Sequence, residues 1–326
     1  MKMLAKLKSK FKNWRRKMNN VISTKVKVFR NVKDYKFTPK LEDAKKQEIL
    51  NKLTVALNGK LSAINLDNID EKTLKSLKAE GLIENPKYNT IFVNAKNKCS
   101  LTLFDGEHIT ITATGEGWDK STFTNANELA TLLQNTISLT YNDTYGYLMS
   151  NLNNLGCGVK IECVLDLNSL VSLGKLDQVK QNVQKLGFVL SETNNKNYFK
   201  LSTVCNLGFS QSEIYAEFEK MVGMVQNLEV ESAKMLDVSN HDELLDSAFR
   251  SLAILNSAYL IDYDELKTLL SNLRTGLNLG IINLNLSTIN KLQTLANSGV
   301  GEFSSKTENL NLAKQIKDIL KGEKNV

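Results

Sequence analysis

Hydrophobic and polar positions repeat with two different periods along this chain, and each period predicts one kind of element. From Val21 to Asn31 apolar and polar residues alternate, which is typical of a strand with one buried face. Elsewhere, runs of β-branched and aromatic residues predict strands, and apolar residues at spacings of three and four predict helices. The predicted strands are 21–31, 90–94, 100–104, 108–114, 159–165, 188–190 and 198–202, and the predicted helices are 41–58, 71–80, 125–139, 174–186, 243–260, 264–274 and 306–320, with another beginning near Gln211.

The order of these elements predicts the fold class. All of the predicted strands precede residue 203, whereas the chain from about residue 211 onward is nearly all helical. Four predicted helices lie between strands and the others follow the last strand, and we expect an α+β fold.

Basic residues concentrate at the N-terminus. The net charge is +7, yet residues 1–33 contain twelve Lys or Arg and no acid, so the rest of the chain is mildly acidic. Within this segment an amphipathic helix is predicted over 3–18. Its apolar face consists of Leu4, Leu7, Phe11 and Trp14. One interpretation is that residues 1–18 attach to a membrane or to nucleic acid. The other is a helix packed on the domain, with its basic face in solvent.

Composition argues against several classes of protein. The chain has no run of about 18 or more apolar residues, so no transmembrane helix is expected. The N-terminus lacks the apolar core and the small-residue cleavage site of a secretory signal. The four cysteines form no Cys-x-x-Cys pair and the chain has only two histidines, so we expect no metal site. These features predict reduced thiols and a cytoplasmic protein.

Two glycines mark the stretch on which the chemistry depends. Gly156 and Gly158 follow an Asn pair and precede the apolar run Val159 to Leu165. Glycine permits a positive φ and the close approach of a ligand to the backbone. The stretch is therefore either a binding loop or a turn into a buried strand, and its residues alone leave both open.

The longer stretch from Gly146 to Lys160 resembles the active-site loop of the ATP:guanidino phosphotransferases, in particular the bacterial protein-arginine kinases. That family has roughly the pattern G-Y-L-T-x-C-P-T-N-L-G-T-G-x-R-A-S. Asn151 stands where the family has a reactive Cys, and Lys160 stands where it has an Arg. The matching residues are Gly146, Tyr147, Leu148, Asn154, Leu155, Gly156 and Gly158.

The first predicted strand carries a second part of the resemblance. Residues 23–31 are similar to the family signature S-S-R-I-R-L-A-R-N, with Lys25 and Lys27 in place of two arginines that bind nucleotide phosphates. Both lysines lie on one face of the strand, so both can reach a single anion. Alternation alone would leave this polar face to solvent.

Two further stretches resemble the family with losses. Residues 104–111 are similar to N-E-E-D-H-L-R-I: His108 matches, and Asp105 and Glu107 remain acidic. Gly106 replaces the acid that holds the guanidinium in the family, and Thr110 replaces another phosphate-binding Arg. The predicted loop 191–197 corresponds to a mobile R-G-x-x-G-E loop, but it is shorter and has only Glu192 as an acid.

The resemblance implies a fold and a set of site residues. We expect a basic helix over 1–19, a twisted, mainly antiparallel sheet flanked by helices over 20–220, and a helical C-terminal domain over 221–326 that serves homodimer contacts. The implied cofactor is ATP with Mg²⁺, and the implied acceptor is a guanidinium group. The implied catalytic positions are Asp105, Glu107, Asn151 and Glu192, and the implied nucleotide-binding positions are Lys25, Lys27, His108 and Lys160.

Two functions are compatible with these substitutions in the family's motifs. Lysine keeps the charge of arginine but loses the planar fork that grips two oxygens, and the Cys, one acid and the acidic loop are altered as well. The first hypothesis is a catalytically impaired homologue, a pseudokinase that acts as a binding or regulatory module. The second is an active kinase that transfers the ATP γ-phosphate to a guanidinium group, most simply protein arginine. A protein substrate, or a partner in stress response or proteolysis, is expected in either case.

Overall fold

The computed structural model describes residues 20–84, 86–94, 96–204, 207–299 and 305–323. The predicted basic helix 3–18 and Cys205 lie outside these residues. Within them, eight strands form one sheet in the order β2-β3-β4-β5-β1-β8-β10-β9, and β6 and β7 pair separately. The strands are β1 Val21–Arg30, β2 Ser62–Asn65, β3 Thr90–Asn94, β4 Cys99–Leu103, β5 Ile109–Glu116, β6 Tyr141–Asn142, β7 Gly146–Tyr147, β8 Val159–Asp166, β9 Phe188–Glu192 and β10 Tyr198–Thr203.

Helices flank the sheet and then make up the C-terminal part of the described chain. They are α1 Asp43–Ala56, α2 Glu71–Ala79, α3 Lys120–Thr136, α4 Asn168–Ser172, α5 Leu176–Lys185, α6 Gln211–Ser239, α7 His241–Ser257, α8 Tyr263–Leu279, α9 Leu286–Ser298 and α10 Lys306–Glu323. Among these described helices, none is long and apolar enough to cross a membrane.

Strand β1 lies at the centre of the sheet. It pairs antiparallel with β5 on one side and with β8 on the other, and the remaining neighbours in the sheet are antiparallel as well. Its residues alternate in burial as its sequence predicts: Val26 and Val28 are buried, whereas Lys25 and Lys27 are half-buried. The α+β fold with an antiparallel sheet is therefore confirmed.

The two faces of the sheet differ in chemistry. One face is apolar, with residues such as Val28, Ile111 and Ile161, and it forms the main core together with α1, α3, α5 and the first half of α6. The opposite face is polar because the residues between those positions are lysines, threonines, serines and a glutamate. A smaller apolar cluster under α2, which includes Leu82 and Ile83, closes one end of this polar face.

The C-terminal helices have a core of their own. Residues of α7, α8, α9 and α10, among them Leu270, Ile289 and Ile316, pack together as a separate cluster. The predicted boundary after residue 220 falls inside α6, which continues without a break from Gln211 to Ser239. Helix α6 therefore joins the two cores.

Several boundaries differ from the predictions. The predicted helix 174–186 corresponds to α5, which begins two residues later, after Gly174 with a φ of 64°. The short helix α4 before this glycine was not predicted. Helix α3 begins five residues earlier than predicted, where Asp119 caps it by accepting a hydrogen bond from the Ser121 amide. Strand β2 and the β6–β7 pair were not predicted either, and α9 was covered only by the general expectation of helix after residue 211.

Candidate functional site

The glycine loop is held together by its own backbone. Gly146 has a φ of 74°, and a Cβ on it would lie 2.6 Å from the Gly156 carbonyl oxygen. That close approach allows the Tyr147 amide to donate a hydrogen bond of 2.8 Å to the same oxygen. These contacts hold the loop in a fixed turn that leads into β8.

Arg30 fills the space behind this loop. Its buried guanidinium donates from Nη1 to the carbonyl oxygens of Phe29 at 2.7 Å and Cys157 at 3.2 Å, and it stacks 3.6 Å from the centroid of the Tyr147 ring. A Cβ on Gly158 would lie 2.8 Å from the same Nη1 atom. The second glycine of the motif is therefore required by Arg30.

Glu107 joins three segments rather than facing an open site. It is 2% exposed, and its carboxylate accepts hydrogen bonds from Asn31 Nδ2 at 2.7 Å, the Ser150 amide at 2.9 Å and the Asn151 amide at 3.0 Å. The matching acid of the family motif thus positions the loop at 149–151. Its predicted catalytic role stays a prediction, and both of its oxygens are already engaged.

His108 is also engaged within the fold. Its ring is fully buried, its Nδ1 accepts a hydrogen bond from the Val32 amide at 3.0 Å, and its Nε2 lies 2.8 Å from the Lys36 carbonyl oxygen. The first contact leaves Nε2 as the protonated nitrogen, and burial lowers the pKa of the ring, so the imidazole is neutral. Both ring nitrogens thus have partners within the fold, and the predicted nucleotide contact of His108 stays a prediction.

The remaining predicted residues of this region lie at the surface. Asp105 accepts a hydrogen bond of 2.7 Å from the Lys87 amide, and a Cβ on Gly106 would meet no atom within 4 Å. Asn151 is exposed, and its side chain caps the short 3₁₀ helix 152–154 by accepting from the Asn153 amide. The structure therefore brings Asp105, Glu107 and Asn151 together but places an open position where the family has its acid.

The three predicted phosphate lysines share the polar face of the sheet. In the β1–β8 register, Lys27 lies directly opposite Lys160, and Lys25 lies opposite Glu162. Side chains of directly paired residues point to the same face, with Cβ atoms about 5 Å apart. Two ammonium groups side by side in this way repel each other and favour an anion between or above them.

Two carboxylates that were not among the predicted site residues form ion pairs with these lysines. Glu84 pairs with Lys25 at 2.8 Å and with Lys27 at 2.9 Å. Glu162 pairs with Lys160 at 2.9 Å and lies 3.7 Å from Lys200. Alternation along β8 places Glu162 on the same face as Lys160, so its role was readable from the sequence. The contact of Glu84 depends on tertiary structure and was not.

Both carboxylates are ionised in this setting. Burial raises the pKa of Glu84, but the charges and hydrogen bonds of Lys25 and Lys27 outweigh it and lower the pKa to about 2. Burial likewise opposes ionisation of Glu162, and its hydrogen bond and attraction to Lys160 lower its pKa on balance. Because two carboxylates are shared among four lysines, the cluster keeps a net positive charge.

Glu192 lies at the opposite edge of the sheet from the other predicted acids. It sits on edge strand β9, five inter-strand spacings or roughly 24 Å from the end of β4, where Asp105 follows. It is exposed, and Lys180 donates a hydrogen bond to it at 2.7 Å, which lowers its pKa. The four predicted catalytic residues are therefore not gathered at one place.

A cleft of about 1250 Å³ opens over the polar face of the sheet. Lys25, Glu84, Glu162, Glu192 and Lys200 line its floor and one wall. Residues of α8 and α9, such as Lys267 and Gln293, line the opposite wall. Within the described residues, no group of three or more His, Cys, Asp or Glu side chains is placed to hold a metal ion. The cleft can therefore hold an anionic ligand through its lysines.

Two protein-family models together match most of the chain. The model of the ATP:guanido phosphotransferase C-terminal catalytic domain matches residues 13–232. The model of the protein-arginine kinase McsB C-terminal domain matches residues 241–323. The two matches meet at α6 and α7, where the sheet core gives way to the helical core.

Individual proteins give the same result. The chain is 29% identical to a protein-arginine kinase of Clostridium perfringens, over 83% of this chain and 85% of that protein. It is 24% identical to one of Bacillus cereus, over 94% of this chain and 93% of that protein. Among solved structures, a duplicated taurocyamine kinase of Schistosoma mansoni superposes with a TM-score of 0.58 at 18% identity, over 78% of this chain and 40% of that longer chain. A lombricine kinase superposes with a TM-score of 0.53 at 16% identity, over 67% of this chain and 71% of that chain. These two structures share the fold.

Proposed function

The chain belongs to the ATP:guanido phosphotransferase family, and from that premise we propose that it is a protein-arginine kinase homologue with impaired catalysis. In this proposal the cleft still binds an anion, and the protein acts as a binding or regulatory module. The family as a whole transfers phosphate, so the proposed loss of catalysis is a property of this chain's own residues.

The observation that carries the proposal is the state of the three predicted guanidinium acids. Asp105 accepts from the Lys87 amide, Glu107 accepts from three donors, and Glu192 is paired with Lys180 on the other side of the sheet. An acid that is to hold a guanidinium must present oxygens to it in a fixed geometry. Here each predicted acid already has a partner within the chain. Loss of one pre-organised group typically costs about 100- to 1000-fold in rate.

Nucleotide binding is the part of the ancestral function that the residues support best. Lys25, Lys27 and Lys160 lie on one face of the sheet, and Lys25 lines the cleft. Their ammonium groups suit the oxygens of a polyphosphate. ATP with Mg²⁺ fits this set of donors, with the metal ion carried largely by the phosphates. The bound nucleotide would bring the transferable phosphate, while the lysines bind and orient it.

The alternative is an active kinase acting on protein arginine. The same lysine cluster favours it, since charge neutralisation is a large part of phosphoryl transfer. The curated relatives also carry the name protein-arginine kinase. In this alternative Asp105, Glu107 and Glu192 hold the guanidinium after their present partners are released.

One experiment separates the two. The full chain is incubated with Mg·ATP and an arginine-rich protein, and acid-labile phosphoarginine is sought by mass spectrometry at neutral pH. The Clostridium perfringens protein-arginine kinase serves as the positive control, and Lys25→Ala sets the background. We expect no transfer above that background. Clear transfer by the wild-type chain that disappears in Lys25→Ala would establish the active kinase instead.

The expected partners extend this proposal. They are a second copy of the chain, bound through the helical C-terminal domain, and a protein partner in stress response or proteolysis. The expected location is the cytoplasm. Light scattering after size-exclusion chromatography checks the homodimer. Deletion of residues 1–18, followed by binding to anionic vesicles and to nucleic acid, checks the basic segment: unchanged binding would remove it as an attachment site.

A further inference from the structure

Glu84 holds the position of a bound anion in the lysine cluster. One carboxylate oxygen lies 2.8 Å from Lys25 Nζ, and the other lies 2.9 Å from Lys27 Nζ. The carboxylate thus bridges two ammonium groups on adjacent outward positions of β1. A phosphate group with two free oxygens would make the same pair of charge-assisted contacts.

The carboxylate is held there by the packing of the residues before it. Leu82 and Ile83 are buried in the small apolar cluster under α2, and the Ser100 hydroxyl donates a hydrogen bond to the Leu82 carbonyl oxygen. Gly81 lies beside the lysine, because a Cβ on it would come within 3.2 Å of Lys25 Cε and Nζ. The segment that carries Glu84 is therefore anchored against the polar face by its own neighbours.

The exposure of the three groups shows how the contact can be exchanged. The side chains of Lys25 and Lys27 are 21% and 17% exposed, whereas that of Glu84 is 55% exposed and lines the cleft. The lysines are thus mostly covered by their neighbours, and the acid is the member of the group that water and ligands reach most readily. Rotation of one side chain frees both lysines without moving the sheet.

We propose that Glu84 is an internal counter-anion that competes with nucleotide phosphates for Lys25 and Lys27 and so sets the nucleotide affinity of the cleft. This inference rests on the proposed assignment of these two lysines to nucleotide phosphates. A phosphate that approaches them meets the like charge of Glu84 and must displace it. Like charges placed together at a binding site weaken binding, and a tenfold change in affinity corresponds to about 1.4 kcal/mol.

The test uses the full chain with charge-neutralising variants. Mg·ATP is titrated by calorimetry into wild type, Glu84→Gln and the control Glu80→Gln. Glu80 is a matched control because it lines the same cleft four residues earlier, and its Oε1 accepts a hydrogen bond of 3.1 Å from Ser76 rather than from a lysine. We expect Glu84→Gln to bind roughly tenfold more tightly than wild type or more, and Glu80→Gln to bind as wild type does. Glu84→Ala, which has no amide to donate to a phosphate, should show the same gain.

Other outcomes decide against the proposal. Equal gains in Mg·ATP affinity in Glu84→Gln and Glu80→Gln would show a general charge effect. No gain in affinity in either Glu84 variant would show that Glu84 does not compete with the ligand for the lysines. A titration with inorganic tripolyphosphate adds a second arm: a gain for this anion without a gain for Mg·ATP would also overturn the inference. The phosphoarginine assay is read separately, so wild-type transfer would refute the proposed loss of catalysis while the affinity ratio still decides the role of Glu84.

Discussion

At the scale of single residues, the glycine motif shows how a signature can be kept for the fold. Gly158 is in contact with Arg30, and Arg30 in turn binds the carbonyl oxygens that shape the turn into β8. The family signature at these positions therefore indicates that the loop has the family's shape. It does not indicate which chemistry the neighbouring residues support.

Gly158→Ala should be more destabilising than Gly174→Ala. Both glycines have a φ of 64°, so both substitutions force an L-residue into the left-handed region at a cost of about 1 kcal/mol. A Cβ on Gly158 would also meet Met149 Cε at 2.5 Å and Arg30 Nη1 at 2.8 Å, whereas one on Gly174 meets no atom within 4 Å. Overpacking of this kind adds about 1–3 kcal/mol. Urea denaturation of the two variants measures the difference, and equal losses would mean that Arg30 does not confine the loop.

The site residues differ in how far the sequence could place them. Period-two alternation put Lys25 and Lys27 on one face and in reach of one anion, and the structure has both on Glu84. Nothing local could indicate that anion, because Glu84 lies 59 and 57 positions away and reaches the sheet through the packing of Leu82 and Ile83. The roles of Glu107 and His108 were hidden for the same reason, since their partners come from distant segments.

At the scale of elements, strong periodicity was predictable and marginal elements were not. Strand β1 was predicted almost to the residue because its alternation is regular. Helix α9 is rich in Ser, Thr and Asn, which are weak helix formers, and it is stabilised by burial of Ile289, Leu292 and Ala296 in the C-terminal core. Edge strand β2 is mostly exposed and exists through its pairing with β3, so its sequence has no alternation to detect.

Helix α6 begins at a capping box that should contribute measurably to stability. The Ser210 hydroxyl accepts from the Glu213 amide, and the Glu213 carboxylate accepts from the Ser210 amide. Ser210→Ala should lower the free energy of unfolding by about 1 kcal/mol. Asn227→Ala, at an exposed position in the middle of the same helix, is the control and should have a smaller effect. The comparison is made by urea denaturation, and an equal loss in both variants would argue against the cap.

At the scale of the whole molecule, buried polar contacts connect the sheet to the C-terminal helices. Ser271 of α8 donates to Asp166 of β8 at 2.8 Å, and Asn278 of α8 donates to Asn20 at 2.7 Å. Glu229 of α6 accepts from the amides of Ser169 and Leu170 at the start of α4. Buried polar contacts of this kind fix the relative placement of the two cores, because an unmade contact leaves a desolvated group.

These contacts predict that stability depends on pH. Burial is the main cause that raises the pKa of Glu229 to about 7, and it also raises the pKa of Asp166 to about 6 despite the opposing charge of Arg274. The folded protein therefore holds the Glu229 proton more tightly than the unfolded chain does. The resulting stabilisation is present below the ordinary pKa of 4.5 and is lost as the pH rises to about 7.

Glu229→Gln tests this dependence. Between pH 4.5 and 7, the unfolding free energy of wild type should fall more steeply than that of the variant, with a maximal contribution of about 1.4 kcal/mol per pH unit for one proton. A shallower slope remains in the variant because Asp166 still titrates. Glu231→Gln, an exposed position on the same helix, is the control and should follow wild type. Parallel slopes for wild type and Glu229→Gln in urea denaturation would contradict the prediction.

The pairing of Glu84 with Lys25 and Lys27 makes ligand binding at this face an ion exchange rather than an addition. A bare row of lysines collects a diffuse cloud of anions from solution, and a ligand that displaces them gains affinity as salt is diluted. Here the anion is the carboxylate of Glu84, which belongs to the chain itself. A ligand that displaces it releases fewer anions into solution and so gains less entropy from their release. Lowering the salt concentration should therefore strengthen polyphosphate binding less in this chain than in one whose lysines face solvent alone.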